Sequence, residues 1–217
     1  MDSRRISEFI RQYIPRVNGG LERLREKAEK NGVPVIRLEA ESFLRTVLMM
    51  TKPERVLELG TAVGYSAMFM ADAGRGYEPG IISIDTIEDW NPRITEAASN
   101  IKNEGYEDKI NLIEGDALEV MKTLAGPYDL VFIDAAKGQY PDYFDETMRL
   151  TEKGSVILAD NIFMDGEILE SKYSVKRRDR TIHKRIREFL DKVTGDERLQ
   201  TTIIPIGDGM TLSVRLK

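Results

Sequence analysis

The chain has 217 residues, 41% of them hydrophobic, which suits a single packed domain spanning 1–217. With no cysteine and only one histidine, His183, it excludes disulfides, thiolate nucleophiles, zinc–thiolate sites and His-rich metal cages, so any metal must sit among oxygen ligands. The net charge is −5, no apolar run approaches the roughly 20 residues of a membrane span, and the start MDSRRISEFIRQY lacks a signal peptide's apolar centre, so a soluble, cytoplasmic protein without membrane association is expected.

In chain order, SEFIRQYI, LERLREKAEKNG (with Gly32 as a stop) and RLEAESFLRTVLMM read as helices, an N-terminal helical layer over 1–51. From Lys52 onward short apolar runs alternate with helical stretches, the pattern of a parallel sheet with crossover helices over 52–217. The strand candidates are RVLELG (55–60), GIISID (80–85), KINLIEG (109–115), YDLVFID (128–134) and GSVILAD (154–160). The helix candidates between them are GYSAMFMADAG, PRITEAASNIKNEG, DALEVMKTLAG and PDYFDETMRL. At the end, LQTTIIPI and MTLSVRL are separated only by Gly207-Asp208-Gly209, which predicts an antiparallel hairpin. The expected fold class is therefore α/β: a doubly wound, Rossmann-like, mostly parallel sheet of seven strands closed by that hairpin. A nicotinamide site would need G-x-G-x-x-G and a wholly parallel sheet, and neither is present.

The stretch ELGTAVGYS places Gly60 and Gly64 in a strand-to-helix turn, where backbone can approach a ligand and the next helix offers free N–H groups. Asp85, read as the end of the second strand, can accept both hydroxyls of a ribose, and Asp116 in Gly115-Asp116-Ala117 can meet an adenine amino group. Three successive strand ends thus present polar groups at one edge, which suggests a nucleoside cofactor.

ELGTAVGYS, EGDALE, FIDAAKGQY and ADN together resemble the metal-dependent class I O-methyltransferases of the catechol and caffeoyl-CoA type, from about Val33 to the C-terminus. Within that superfamily the chain most resembles the bacterial tRNA 5-hydroxyuridine methyltransferases, through FIDAAKGQY, the KRRDR stretch and IIPIGDGM. The resemblance implies S-adenosylmethionine as cofactor, contacted by Ile36, Glu58, Gly60, Gly64, Ser66, Asp85, Asp116, Ala117 and Asp134. It also implies a homodimer. At Asp85, where the family commonly has glutamate, the chain departs from the pattern.

Asp134 ends the fourth strand candidate and Asp160-Asn161 the fifth; adjacent strand ends lie about 5 Å apart, so the three side chains can converge. Two carboxylates and an amide make an oxygen-only half-shell for a cation, or the two Asp residues simply cap the helices that follow. The matched family motif implies the first, with Mg2+ the expected ion. Lys137, three residues past Asp134, is either that carboxylate's ion-pair partner or, as the resemblance implies, the general base of methyl transfer.

Between Lys172 and Arg187, KYSVKRRDRTIHKRIR carries eight Lys or Arg against one Asp. This is either a solvated helix face or a phosphate-binding surface; a tRNA anticodon loop is the polyanion the resemblance implies, with Lys176, Arg177, Arg178, Arg180, Lys184 and Arg185 as contacts. Arg4, Arg5, Arg11 and Arg16 can extend that footprint. Tyr140 and Phe163 are candidates for stacking an unpaired base; Trp90 either packs near the second strand or touches the adenine. Met49, Met50, Met68 and Met70 read as core and His183 as solvent-facing. A small catechol-like acceptor remains the alternative to tRNA, since both offer two neighbouring oxygens; a non-catalytic RNA-binding protein would leave the acidic cluster without a purpose.

Overall fold

Continuous apolar runs become the buried centre of a sheet because both of their faces are covered. In the computed structural model, which describes residues 8–217, these are β1 (Arg55–Leu59), β2 (Ser83–Glu88), β3 (Ile110–Glu114), β4 (Leu130–Ile133) and β5 (Val156–Asp160). They are joined by β6 (Leu199–Ile204) and β7 (Met210–Arg215). The order across the sheet is β3-β2-β1-β4-β5-β7-β6. β1 to β5 run parallel, and β7 lies antiparallel to both β5 and β6. The predicted closing hairpin is therefore present. Because β1 neighbours both β2 and β4, the winding reverses there, and a crevice opens beyond the carboxyl ends of β1 and β4.

The helices are α1 (Gly19–Lys30), α2 (Leu38–Thr51), α3 (Tyr65–Ala73), α4 (Asn91–Asn103), α5 (Ala117–Thr123), α6 (Tyr140–Leu150) and α7 (Arg180–Gly195). Strand alternation divides the core. Val56, Phe132 and Leu158 join a cluster with Leu24 of α1, Leu44 of α2 and Phe69 of α3. Leu57, Ile133 and Ile157 point the other way, against Tyr143 and Phe144 of α6 and Phe189 of α7. The N-terminal helices thus share one core with the sheet. The segment 33–37 joining α1 to α2 runs over the crevice. Residues 1–7, including Arg4, Arg5 and the start of SEFIRQYI, lie outside the described residues; 8–11 are helical.

Several expectations need correction. β2 begins at Ser83 rather than Gly80 and runs to Glu88, because Ser83 is the residue that pairs with Arg55, leaving Ile82 before the strand and 52% exposed. His183 is buried, 2% exposed, and its Nε2 lies 3.1 Å from the Glu170 carbonyl. Of the four methionines, Met68 and Met70 are fully buried and Met49 packs against the core, but Met50 is 77% exposed at the end of α2. Among the described residues no helix is long and apolar enough to cross a membrane.

Candidate functional site

A cavity of about 410 Å³ occupies the crevice, lined by segment 34–37, the β1–α3 turn, the ends of β2 and β3, and the residues following β4 and β5. The β1–α3 turn approaches the β4 loop so closely that a Cβ built on Gly60 would lie 2.1 Å from the Asp134 carbonyl oxygen, and Gly60 has φ +95°. Only glycine satisfies both demands. Its amide and that of Thr61 donate to the Ile87 carbonyl at 3.1 and 3.2 Å, so turn and β2 end are joined.

Of the expected cofactor contacts, Ile36, Gly60, Ser66, Asp116, Ala117 and Asp134 line the cavity. Gly64 does not; it caps the start of α3 at φ 82°. Glu58 lies beneath the turn, wholly buried, and accepts from the Thr86 hydroxyl at 2.6 Å. Burial, then opposed by the Ser66 and Thr86 hydroxyls, pushes its carboxyl up to about 7. Asp116 serves twice: one oxygen caps α5 by accepting from the Glu119 amide at 3.1 Å, and the residue still faces the cavity.

Asp85 is not at the cavity. With the strand extended three residues, it lies mid-β2, where its oxygens accept from the Tyr128 hydroxyl at 2.6 Å and Asn111 Nδ2 at 2.8 Å. The acid at the strand end is Glu88, which lines the cavity and accepts from the Ala62 amide at 2.8 Å. The acid that β2 presents to the cavity is therefore Glu88, three residues past Asp85. Sequence reading missed Glu88, although IISIDTIED offers both acids at the end of one run. It also missed Arg37, exposed on the cavity rim, whose guanidinium reaches the Gly207 carbonyl and Asp165, both at 3.2 Å.

At the other end of the cavity Asp134, Asp160 and Asn161 converge. Asn161 Nδ2 donates to Asp134 Oδ1 at 2.9 Å, its backbone amide donates to Asp160 Oδ1 at 2.7 Å, and φ 60° holds it between the two. Burial pushes the Asp134 carboxyl up, against the hydrogen bond from Asn161 and the charge of Lys137. Burial, then the Asp134 charge, pushes Asp160 to about 7. Neither carboxylate has an ion-pair partner among the described residues. Among the described residues no group of three His, Cys, Asp or Glu side chains is placed to hold a metal; the third member here is an amide. A half-buried Asp134 and a buried Asp160, the charge of the first raising the proton affinity of the second, joined by an amide whose χ2 rotation would present oxygen, fit a hard dication. Helix capping, the alternative role, accounts for neither: β4 is followed by a 3₁₀ turn and β5 by an irregular segment without a side-chain cap.

Lys137 begins the 3₁₀ turn Lys137–Gln139 and is half-buried. It forms no salt bridge with Asp134, yet its charge acts on Asp134, Asp160 and Asp208 together. Tyr140 cannot stack on a ligand: its ring is fully buried and its hydroxyl donates to the Asp160 carbonyl at 2.9 Å. Phe163 packs its ring over Gly209. Trp90 is exposed, lies outside the cavity lining and carries the Arg93 guanidinium on its ring.

The basic segment divides. Lys176, Arg177, Arg178 and Lys184 are exposed, as is Tyr173 beneath Lys172. Arg180 and Arg185 are not free for phosphate as expected. Arg180 donates to the carbonyls of Val175 and Tyr173 at 3.2 and 3.1 Å. Arg185 donates to the Gly138 carbonyl at 2.8 Å and pairs with Asp142 and Glu188. Arg187 likewise donates to the Ile168 carbonyl at 2.6 Å.

Sheet order, glycine turn and strand-end carboxylates define the Rossmann-like fold of class I methyltransferases. The chain belongs to the O-methyltransferase family, whose sequence profile matches residues 16–216. It is 33% identical over 145 residues to a catechol O-methyltransferase of Niastella koreensis, a match covering 64% of this chain and 64% of that protein, under two thirds of its length. It is 29% identical to caffeoyl-CoA O-methyltransferase of Medicago sativa, covering 97% of this chain and 90% of that one. Its fold superposes on SAH-bound methyltransferase PaMTH1 of Podospora anserina with a TM-score of 0.87 at 25% identity, covering 99% of this chain and 95% of that chain.

Proposed function

We propose that the protein transfers a methyl group from S-adenosylmethionine to the C5 hydroxyl of 5-hydroxyuridine at the wobble position of tRNA, giving 5-methoxyuridine. The observation that carries the reading is one cavity lined by Glu88 and Asp116 from the ends of β2 and β3 and by the Asp134–Asp160–Asn161 cluster. Glu88 would accept the ribose hydroxyls and Asp116 the adenine amino group. The backbone of Ile36 and of the Gly60 turn would hold the amino-acid end. Asp134, Asp160 and Asn161 would hold Mg2+, which when bound polarises and orients the acceptor oxygen. Lys137 Nζ would take the proton of that hydroxyl as the methyl group arrives in line.

Exposed Lys176, Arg177, Arg178 and Lys184, with Tyr173, support an anticodon loop as the acceptor's carrier, since phosphate contacts and base stacking are what single-stranded RNA rewards. A homodimer through the N-terminal segment is supported by the exposed rings of Phe9 and Tyr13, whose centroids lie 5.1 Å apart. Likeness to catechol O-methyltransferases supports a second reading, a small catechol-like acceptor. Incubation with labelled S-adenosylmethionine and either hydroxyuridine-bearing tRNA or a catechol, with and without Mg2+, separates them. Label in tRNA, dependent on Mg2+, is expected; label only in the catechol overturns the tRNA reading.

A further inference from the structure

Lys137 sits on a weakly held turn. The 3₁₀ segment Lys137–Gln139 is closed by two local backbone bonds, Gln139 N–H to the Ala136 carbonyl at 2.8 Å and Tyr140 N–H to the Lys137 carbonyl. Gly138 follows Lys137 directly, and a Cβ there would meet nothing within 4 Å, so the turn is open on that side. The link from this turn to the distant part of the chain is made by Arg185, 47 residues away on α7, whose Nε donates to the Gly138 carbonyl at 2.8 Å.

Arg185 is itself immobilised. One Nη pairs with Asp142 in the first turn of α6, and the other lies 3.2 Å from Glu188, one turn along α7. A guanidinium with its planar donors spent on three acceptors cannot rotate without losing all three, which is why a rigid fork suits this position better than an ammonium on a flexible stem. Lys192 makes a parallel contact two turns on, reaching the Pro141 carbonyl at 3.2 Å and Asp145 at 2.9 Å, so α7 grips the whole start of α6.

We propose that Arg185 is a positioning residue that fixes the Lys137 turn against α7 and so sets where Lys137 stands relative to the Asp134–Asp160 pair, rather than a contact for the substrate's phosphates. The proposal rests on the reading of Lys137 as the base. Displacement of a reacting group by about 1 Å lowers turnover steeply while leaving affinity intact, so the effect falls on kcat.

The test is steady-state methylation of a hydroxyuridine-bearing anticodon stem-loop by the full chain, with cofactor affinity measured by calorimetry. Arg185→Ala is expected to lower kcat by about tenfold to a hundredfold, with KM for the stem-loop and cofactor affinity within about twofold of the parent. Arg185→Lys, which can restore a single bond to Gly138, is expected to recover part of that loss. Should Arg185→Ala fail to fold, Asp142→Asn, which frees the guanidinium and keeps it, is expected to lower kcat in the same direction and less. A raised KM with unchanged kcat in Arg185→Ala, or an unchanged kcat in Asp142→Asn, overturns the positioning role. Lys137→Ala is measured alongside: if it retains full turnover, the reading of Lys137 fails, whatever Arg185 does.

Discussion

Arg25 in α1 donates through Nη1 to the carbonyl oxygen of Ile36 at 2.9 Å, so the strip of backbone roofing the cavity hangs from a nearly buried guanidinium. The same group donates to the Tyr65 hydroxyl at 3.2 Å and pairs with Glu41, which also accepts from that hydroxyl at 2.7 Å. Removal of the cation leaves Glu41 buried and unpaired. Arg25→Ala is therefore expected to destabilise the fold by about 3–5 kcal/mol and to weaken cofactor binding, as read by denaturant unfolding and calorimetry. A loss below about 1 kcal/mol would reduce the network to the worth of a surface pair.

Glu88 and Asp85 separate cleanly by measurement. Glu88→Ala is expected to cost about 1.5–3 kcal/mol of cofactor affinity, because charge-assisted bonds to the ribose hydroxyls are lost. Asp85→Ala is expected to leave that affinity unchanged while costing about 1–3 kcal/mol of stability, through the orphaned Tyr128 hydroxyl and Asn111 amide. The reverse pattern in calorimetry and unfolding would return the ribose to Asp85.

Lys137→Ala tests base against ion-pair partner. With no salt bridge to lose, the variant is expected to unfold within about 0.5 kcal/mol of the parent and to bind cofactor normally. Its turnover is expected to fall by about 10²–10⁴. Stability loss with turnover preserved would mean that the lysine serves Asp134 after all.

Glu58 makes a prediction about pH. Its folded pKa, about 7, lies above the 4.5 of a free glutamate, so between those values the folded state holds a proton that the unfolded state has released. Glu58 thus lowers stability as pH rises from about 4.5 to about 7, and the cost is complete above that. Glu58→Gln removes this contribution. Relative to the parent, the variant's melting temperature is expected to be higher at pH 8 than at pH 5; a constant difference across that range would show that Glu58 does not titrate on unfolding.

The strands were legible because both sheet faces are covered, and buried parallel strands read as unbroken apolar runs. At β2 that signal misled: Gly80–Asp85 is as apolar as a strand, but registration with Arg55 begins at Ser83, and a three-residue shift moves the strand-end acid from Asp85 to Glu88. The Asp134, Asp160 and Asn161 positions were readable because each directly follows a well-defined run. The basic segment was not, since charge along a chain says nothing about acceptors. Gly138 and Ile168 reach Arg185 and Arg187 only after folding, and the same packing of α7 buries His183.

At Gly60 the backbone of the β1–α3 turn rests on the carbonyl of Asp134, with no space for even a methyl group between them. The glycine turn and the Asp134 loop are therefore one mechanical piece, and strain on either is felt by the other. A larger residue at position 60 would not disturb the turn alone; it would push the Asp134 loop, and with it one side of the carboxylate cluster, away from β1.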